Sequence, residues 1–128
     1  MTDLIWGIDL SHNNANVNLT VAKAAGVQFV WHKATQGTKF TDPMFAERKK
    51  ECHDVGLPFG AYHFGTDEDA DQQAKFFLAI AGDTKALALD WEDNTTRTMS
   101  APQALTFMQA ICAGASGVFS WTCFLPPR

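Results

Sequence analysis

Near residue 90 the chain reads Leu89-Asp90-Trp91-Glu92, two acids separated by one bulky apolar residue at the end of an apolar run. In an extended strand alternate side chains share a face. Ala86, Ala88, Asp90 and Glu92 would then point one way, and Leu87, Leu89 and Trp91 the other. Residues two apart on a strand have Cα atoms about 6.5–7 Å apart. Two carboxyl groups that close, both facing a cleft, split their proton affinities so that one can hold a proton. One acid for a leaving oxygen and one anion for a developing oxocarbenium charge are what glycoside cleavage needs. Two solvated acids opening the polar run Asp93-Asn94-Thr95-Thr96 would have the same spelling. Asp9, which closes another apolar run after Gly7, weighs against that, because it adds a third acid to the pair.

The elements that must position these acids alternate along the chain. Apolar runs at Leu4–Asp9, Val27–Ala34, Leu57–Phe64 and Ala86–Glu92 read as strands, and a fifth is expected over Val118–Leu125. Between them lie helical patterns. Leu19, Val21, Ala22 and Ala25 form a short one that stops at Gly26. Asp42-Pro43 supplies an N-cap and a first-turn proline for a helix ending at Gly56. Asp67 opens a third, in which Ala70, Ala74, Phe77, Leu78 and Ala81 recur at helical spacing before Gly82. Ser100-x-x-Gln103 forms a capping box for a fourth, ending at Gly114. Strand and helix alternating in this way give the rhythm of a parallel α/β sheet, either doubly wound or part of a (β/α) barrel. In both, ligands gather at the carboxyl ends of the strands. Those ends carry Asp9, Lys33, Tyr62 and Asp90 with Glu92, so three acids, a lysine and a tyrosine converge on one rim.

Composition narrows the function classes. The 128 residues, 46% apolar and 19% charged, suit one domain with a real core. A net charge of −4 argues against nucleic-acid binding, which needs a cationic face. The three cysteines include no C-x-x-C pair, and reduced buried thiols are expected. The histidines at 12, 32, 53 and 63 show no zinc-ligand spacing. No G-x-G-x-x-G, P-loop or G-x-S-x-G elbow is present, so nothing asks for a nucleotide, a metal or another cofactor. No apolar stretch approaches the ~20 residues that span a bilayer, and no signal peptide is visible at the start.

Five segments then carry a resemblance. Gly7-Ile8-Asp9-Leu10-Ser11-His12, Lys33-Ala34-Thr35-Gln36-Gly37, Asp42 with Phe45, Gly60-Ala61-Tyr62-His63-Phe64 and Leu89-Asp90-Trp91-Glu92 occur in that order. Together they resemble the glycoside hydrolase family 25 lysozymes, over about residues 4 to 93. The resemblance implies cleavage of peptidoglycan between N-acetylmuramic acid and N-acetylglucosamine. It makes Glu92 the general acid, Asp90 the group that stabilises developing charge or the substrate's acetamido group, and Asp9 a positioning group. Lys33 and Tyr62 would line the cleft. Asn13-Asn14 departs from the aromatic residue that often follows the Ser-His pair, and Gln36 stands where a glutamate is common.

The family fold is an irregular eight-stranded barrel, a type that typically takes about 250 residues. One domain holding the first four or five strands of such a barrel is therefore expected. The competing reading is a catalytically impaired remnant that still binds glycan. Open sheet edges, with the uncharged β-prone segment 117–125, lead to an expected homodimer. The expected place of action is the bacterial cell wall, reached from the cytoplasm as a phage endolysin is or by another export route.

Overall fold

The computed structural model describes residues 4–95 and 97–114, and the backbone of 121–124. Strand β1 is Gly7–Leu10, helix α1 Leu19–Ala24, β2 Phe29–Gln36, β3 Phe40–Thr41 and α2 Phe45–Val55. Then follow β4 Phe59–Phe64, α3 Ala70–Ala81, β5 Ala86–Asp90, α4 Ala101–Gly114 and β6 Trp121–Phe124. The strands lie in the order β1-β2-β4-β5-β6, all parallel, with β3 antiparallel to β2 as an added hairpin arm.

All four helices pack on one face of this sheet. Leu10, Val30, Leu19, Cys52 and Leu57 form one buried cluster between β1, β2 and the first two helices. Ala61, Leu87 and Leu89 meet Ala74, Phe77, Ala104, Phe107 and Ile111 of α3 and α4 in a second. A doubly wound sheet carries helices on both faces; one-sided cover is the arrangement of a barrel wall. The opposite face holds Asp9, Trp31, Lys33, Tyr62 and Asp90, because strand alternation sends every second side chain there.

Several boundaries differ from the sequence reading, each for a local reason. The run Leu4–Asp9 is not a buried strand throughout. Leu4, Ile5 and Trp6 are 63, 78 and 62% exposed, since β1 first pairs at Gly7 with Phe29. Asp42 does not cap a helix starting at Pro43. Its carboxylate takes the Met44 N–H at 2.9 Å and the His12 N–H at 2.9 Å, and α2 begins at Phe45. Asp67 pairs with Arg97, while Asp69 accepts the Gln72 N–H at 2.9 Å and caps α3. The β2–β3 hairpin, turned by Gly37 at φ +58°, was not expected. The Ser100 box stands as read, with Ser100 N–H to Gln103 Oε1 at 2.8 Å and Gln103 N–H to Ser100 Oγ at 3.3 Å. Of the fifth strand, 121–124 form β6 beside β5, and 118–120 and 125 lie outside the described residues.

Strand β2 holds the feature that sets the site. Its register against β4 runs Lys33 to Tyr62, then Thr35 to His63, so Ala34 is one extra residue. Beyond it Thr35 faces the helices and Gln36, opposite Phe64, faces the cleft with Lys33. A buried relay fixes the bulge. Gln73 Nε2 donates to the carbonyls of Thr66 (2.9 Å) and Glu68 (2.8 Å), which orients its amide. Gln73 Oε1 then accepts the Thr66 N–H at 3.0 Å and lies 2.9 Å from His63 Nε2. This places the His63 proton on Nε2, and Nδ1 accepts the Thr35 hydroxyl at 2.6 Å. Thr35, His63 and Gln73 are fully buried.

Burial pushes the His63 imidazole down to about 4, so it is neutral at physiological pH. The unfolded chain, with an ordinary histidine near 6.5, binds more protons between these values. Stability is therefore expected to fall as pH drops from about 6.5 towards 4, by about 3 kcal/mol from this residue. Denaturant melts at pH 7 and pH 4.5 measure the loss. A His63→Gln variant that loses as much stability as the parent over that interval would refute the assignment.

Candidate active site

The cleft face gathers the strand-end residues on four adjoining strands. Lys33 and Tyr62 are register partners across β2 and β4, and Phe64 and Asp90 are partners across β4 and β5. Asp9 projects from edge strand β1 beside Trp31 and is exposed, whereas Asp90, Lys33 and Tyr62 are half-buried. Glu92 lies two residues past the last bonded pair of β5, in the loop instead of on the strand. That loop is held at both ends. The Gly65 N–H donates to the Asp90 carbonyl at 3.0 Å, and the Trp91 indole N–H donates to the Met99 carbonyl at 2.8 Å. Met99 is buried against Gly65, where a Cβ would come within 2.9 Å of its sulfur.

Trp31 forms part of the floor. Its indole lies across Gly60, where any added Cβ would be 2.5 Å from ring carbons. Glycine at 60 therefore permits close approach of ring to backbone, and the same tryptophan meets the Phe29 ring at 5.1 Å in a tilted arrangement.

Lys33 is held by three contacts. Its ammonium donates to Gln36 Oε1 and lies over the Phe40 ring at 5.2 Å and the Phe64 ring at 5.0 Å. Cation–π contacts of this kind strengthen when water is partly excluded. Phe40 in turn meets the His12 ring at 5.7 Å. His12 Nδ1 donates to buried Asp42 at 2.8 Å, so one carboxylate fastens the turn after β1 to the hairpin. Burial raises the Asp42 carboxyl, but the hydrogen bonds from His12 and Met44 outweigh it and leave it lowered. Phe40, His12 and Asp42 were not read as site residues. The glycine at 37 followed by Phe40-Thr41 was the available hairpin signal.

The electrostatics centre on Asp90. Burial first, then the neighbouring charges of Glu92 and Asp9, push its carboxyl up to about 6, with Lys33 acting in the opposite sense. Burial also lowers Lys33, against the pull of Asp42, Asp90 and Glu92. Burial and the charges of Asp9, Asp90, Asp42 and Glu92 raise Tyr62 far enough that its hydroxyl stays a proton donor. The structure thus brings all five residues singled out from the sequence into one electrostatically coupled group. Chemically, that group offers a carboxyl with perturbed proton affinity, two further carboxyls, a neutral phenol and a fixed cation. Among the described residues no group of three or more His, Cys, Asp or Glu could hold a metal ion.

Comparison with known proteins bears on the same residues. The chain is 33% identical over 106 residues to lysozyme M1 of Streptomyces globisporus, covering 77% of this chain and 36% of that protein. It is 35% identical over 83 residues to the N,O-diacetylmuramidase of a Chalaropsis species, covering 61% and 39%. Among solved structures it is similar to a family GH25 lysozyme from Aspergillus fumigatus, with TM-score 0.73, 34% identity and coverage of 84% of this chain and 57% of that one. The bacterial lysozyme of Streptomyces coelicolor gives TM-score 0.74, 30% identity, and 88% and 58%. The chain therefore spans under two fifths of these curated relatives and under three fifths of these solved ones. The model for glycosyl hydrolases family 25 matches residues 8–120. Because that match runs through every strand that contributes to the acidic rim, the chain belongs to glycosyl hydrolases family 25.

Proposed function

We propose that the cleft cleaves peptidoglycan strands between N-acetylmuramic acid and N-acetylglucosamine, acting on the bacterial cell wall. The observation that carries this reading is the convergence of Asp9, Asp90 and Glu92 with Lys33 and Tyr62 at the strand ends of one sheet face, where burial and the charges of Glu92 and Asp9 raise the Asp90 carboxyl to about 6. In this assignment Glu92, in the loop after β5, gives its proton to the leaving oxygen. Asp90, at the end of β5, faces once ionised the positive charge that develops on the sugar. The partial burial that makes its charge costly in the free protein strengthens its interaction with an oxocarbenium-like centre. Asp9, at the exposed edge, positions the sugar or water, while the Tyr62 hydroxyl and the Lys33 ammonium bind substrate oxygens. Family membership and the muramidase and lysozyme relatives support the substrate class.

Replacing Glu92 with Gln keeps the shape and removes the proton, so hydrolysis of purified peptidoglycan is expected to fall ~10²–10⁴-fold with binding retained. Turnover within tenfold of the parent would overturn the assignment. New muramic acid reducing ends identify the bond cut. Polymer that is bound but left intact would reduce the function to glycan binding.

Asp90 gives two linked outcomes. Activity that needs its anion falls as pH drops through about 6, and Asp90→Asn removes that limb together with most of the rate. The sign for stability is opposite. A folded-state carboxyl raised above its unfolded value makes the ionised form costly above about pH 6, and the cost disappears below about pH 4. Asp90→Asn is therefore expected to stabilise the protein at pH 7 by roughly 1–2 kcal/mol, after allowance for partial exposure. That gain should shrink on acidification. An acid limb unchanged in Asp90→Asn, or destabilisation at pH 7, counts against the role.

A second copy is the proposed partner for the free edge of the sheet. Among the described residues β1 pairs only with β2, and the exposed Leu4, Ile5 and Trp6 precede it. Unpaired strand edges of this kind invite pairing with another chain. Sedimentation at micromolar concentration is expected to show a dimer; a compact monomer with a cooperative melt would exclude it.

A further inference from the structure

Beside the acids, between the rim loops, lies a second cleft of about 460 Å³. This is the size of an ordinary ligand site. Gln36, Lys39 and Phe40 of the hairpin line it together with Phe64, Glu68 and Arg97 from the loops after β4 and β5. Gln36, Phe40 and Phe64 are the residues that hold Lys33, so the cleft opens directly from the acidic group.

Its two phenyl rings are already engaged on one side: Lys33 lies over both, and Phe40 also meets the His12 ring. What the cleft offers is amide and charge. Arg97 is neutralised by Asp67 at 2.7 Å and Glu68 at 3.3 Å, and Glu68 also takes the Thr38 hydroxyl. Lys39 is different: it is exposed at the mouth and has no ion-pair partner among the described residues. Gln36 uses its carbonyl on Lys33, which leaves its amide N–H groups as donors.

We propose that this cleft binds the peptide carried by the muramic acid of the substrate, a short run of amides with free carboxylates, laid beside the bond to be cut. The proposal rests on the peptidoglycan-cleaving reading and adds a specificity to it. Peptide carbonyls meet the Gln36 amide, and a peptide carboxylate meets the Lys39 ammonium, which the protein leaves unpaired. Hydrolysis is then faster on peptide-bearing strands than on denuded ones.

The test measures binding of two probes, N-acetylmuramoyl-alanyl-isoglutamine and the peptide-free N-acetylglucosamine tetramer, to the parent chain, Lys39→Ala and Lys39→Glu. Lys39 is exposed on a turn, so neither change threatens the fold. Affinity for the peptide-bearing probe is expected to drop roughly three- to fivefold in Lys39→Ala, as for loss of one exposed ion pair, and further in Lys39→Glu. Affinity for the tetramer should change less than twofold. In the parent, the side-chain amide resonance of Gln36 should shift with the first probe. Equal losses for both probes, no loss, or a peptide-bearing probe that binds no better than the tetramer overturns the proposal. A parent that binds the muramoyl peptide in this way but leaves peptidoglycan uncut sinks the cleavage reading and leaves the peptide site standing.

Discussion

The hydrogen bond from the Thr35 hydroxyl to His63 Nδ1, 2.6 Å long and fully buried, governs which way strand β2 faces beyond Lys33. Without the extra residue at Ala34, alternation would put Thr35 on the cleft face and Gln36 among the helices. With it, Lys33 and Gln36 share the cleft, and the Gln36 carbonyl can hold the lysine ammonium. The relay continues through Gln73 to the carbonyls of Thr66 and Glu68, so α3 and the loop after β4 are tied to the same bond. An unsatisfied buried nitrogen costs about 1–3 kcal/mol, which is why the relay has every partner in place. The cleft's cation is thus positioned from the opposite side of the sheet.

The acids work against the fold that carries them. Three carboxyls on neighbouring positions, two of them half-buried, repel one another, and this repulsion adds to burial in raising the proton affinity of Asp90. Lys33 offsets part of this, but burial lowers its own hold on a proton. The apolar clusters on the helical face supply what the cleft face lacks. Stability and chemistry are therefore assigned to opposite sides of one sheet, and the boundary between them is one strand thick.

Much of this was legible in the residues because two periodicities differ. Alternation at period two separated Ala88 and Asp90 from Leu87 and Leu89, and that division is the one observed. The rule that ligands gather at strand ends picked out Asp9, Lys33, Tyr62 and Asp90 without knowledge of their contacts. It misjudged Leu4 to Trp6, where hydrophobicity was read as burial although β1 has no partner strand there until Gly7. Caps were misplaced where a side chain had a distant partner to satisfy: Asp42 reaches His12 and Asp67 reaches Arg97, pairs thirty residues apart. The hairpin at Phe40-Thr41 is only two residues long and falls below what a pattern can register. The bulge at Ala34 was hidden for a similar reason, since an inserted residue that is itself apolar does not disturb the hydrophobic pattern.

The packing of Trp31 on Gly60 has a consequence for how such a site can change over time. The two positions are not independent. A side chain at 60 would collide with the indole at 2.5 Å, and a smaller residue at 31 would leave the floor of the cleft empty. Any path from this pair to another must pass first through the loss of the ring, then through the gain at 60, and never in the reverse order. Two residues twenty-nine apart in sequence thus form one inherited unit, and the order of substitutions, more than their number, decides which floors this cleft can reach.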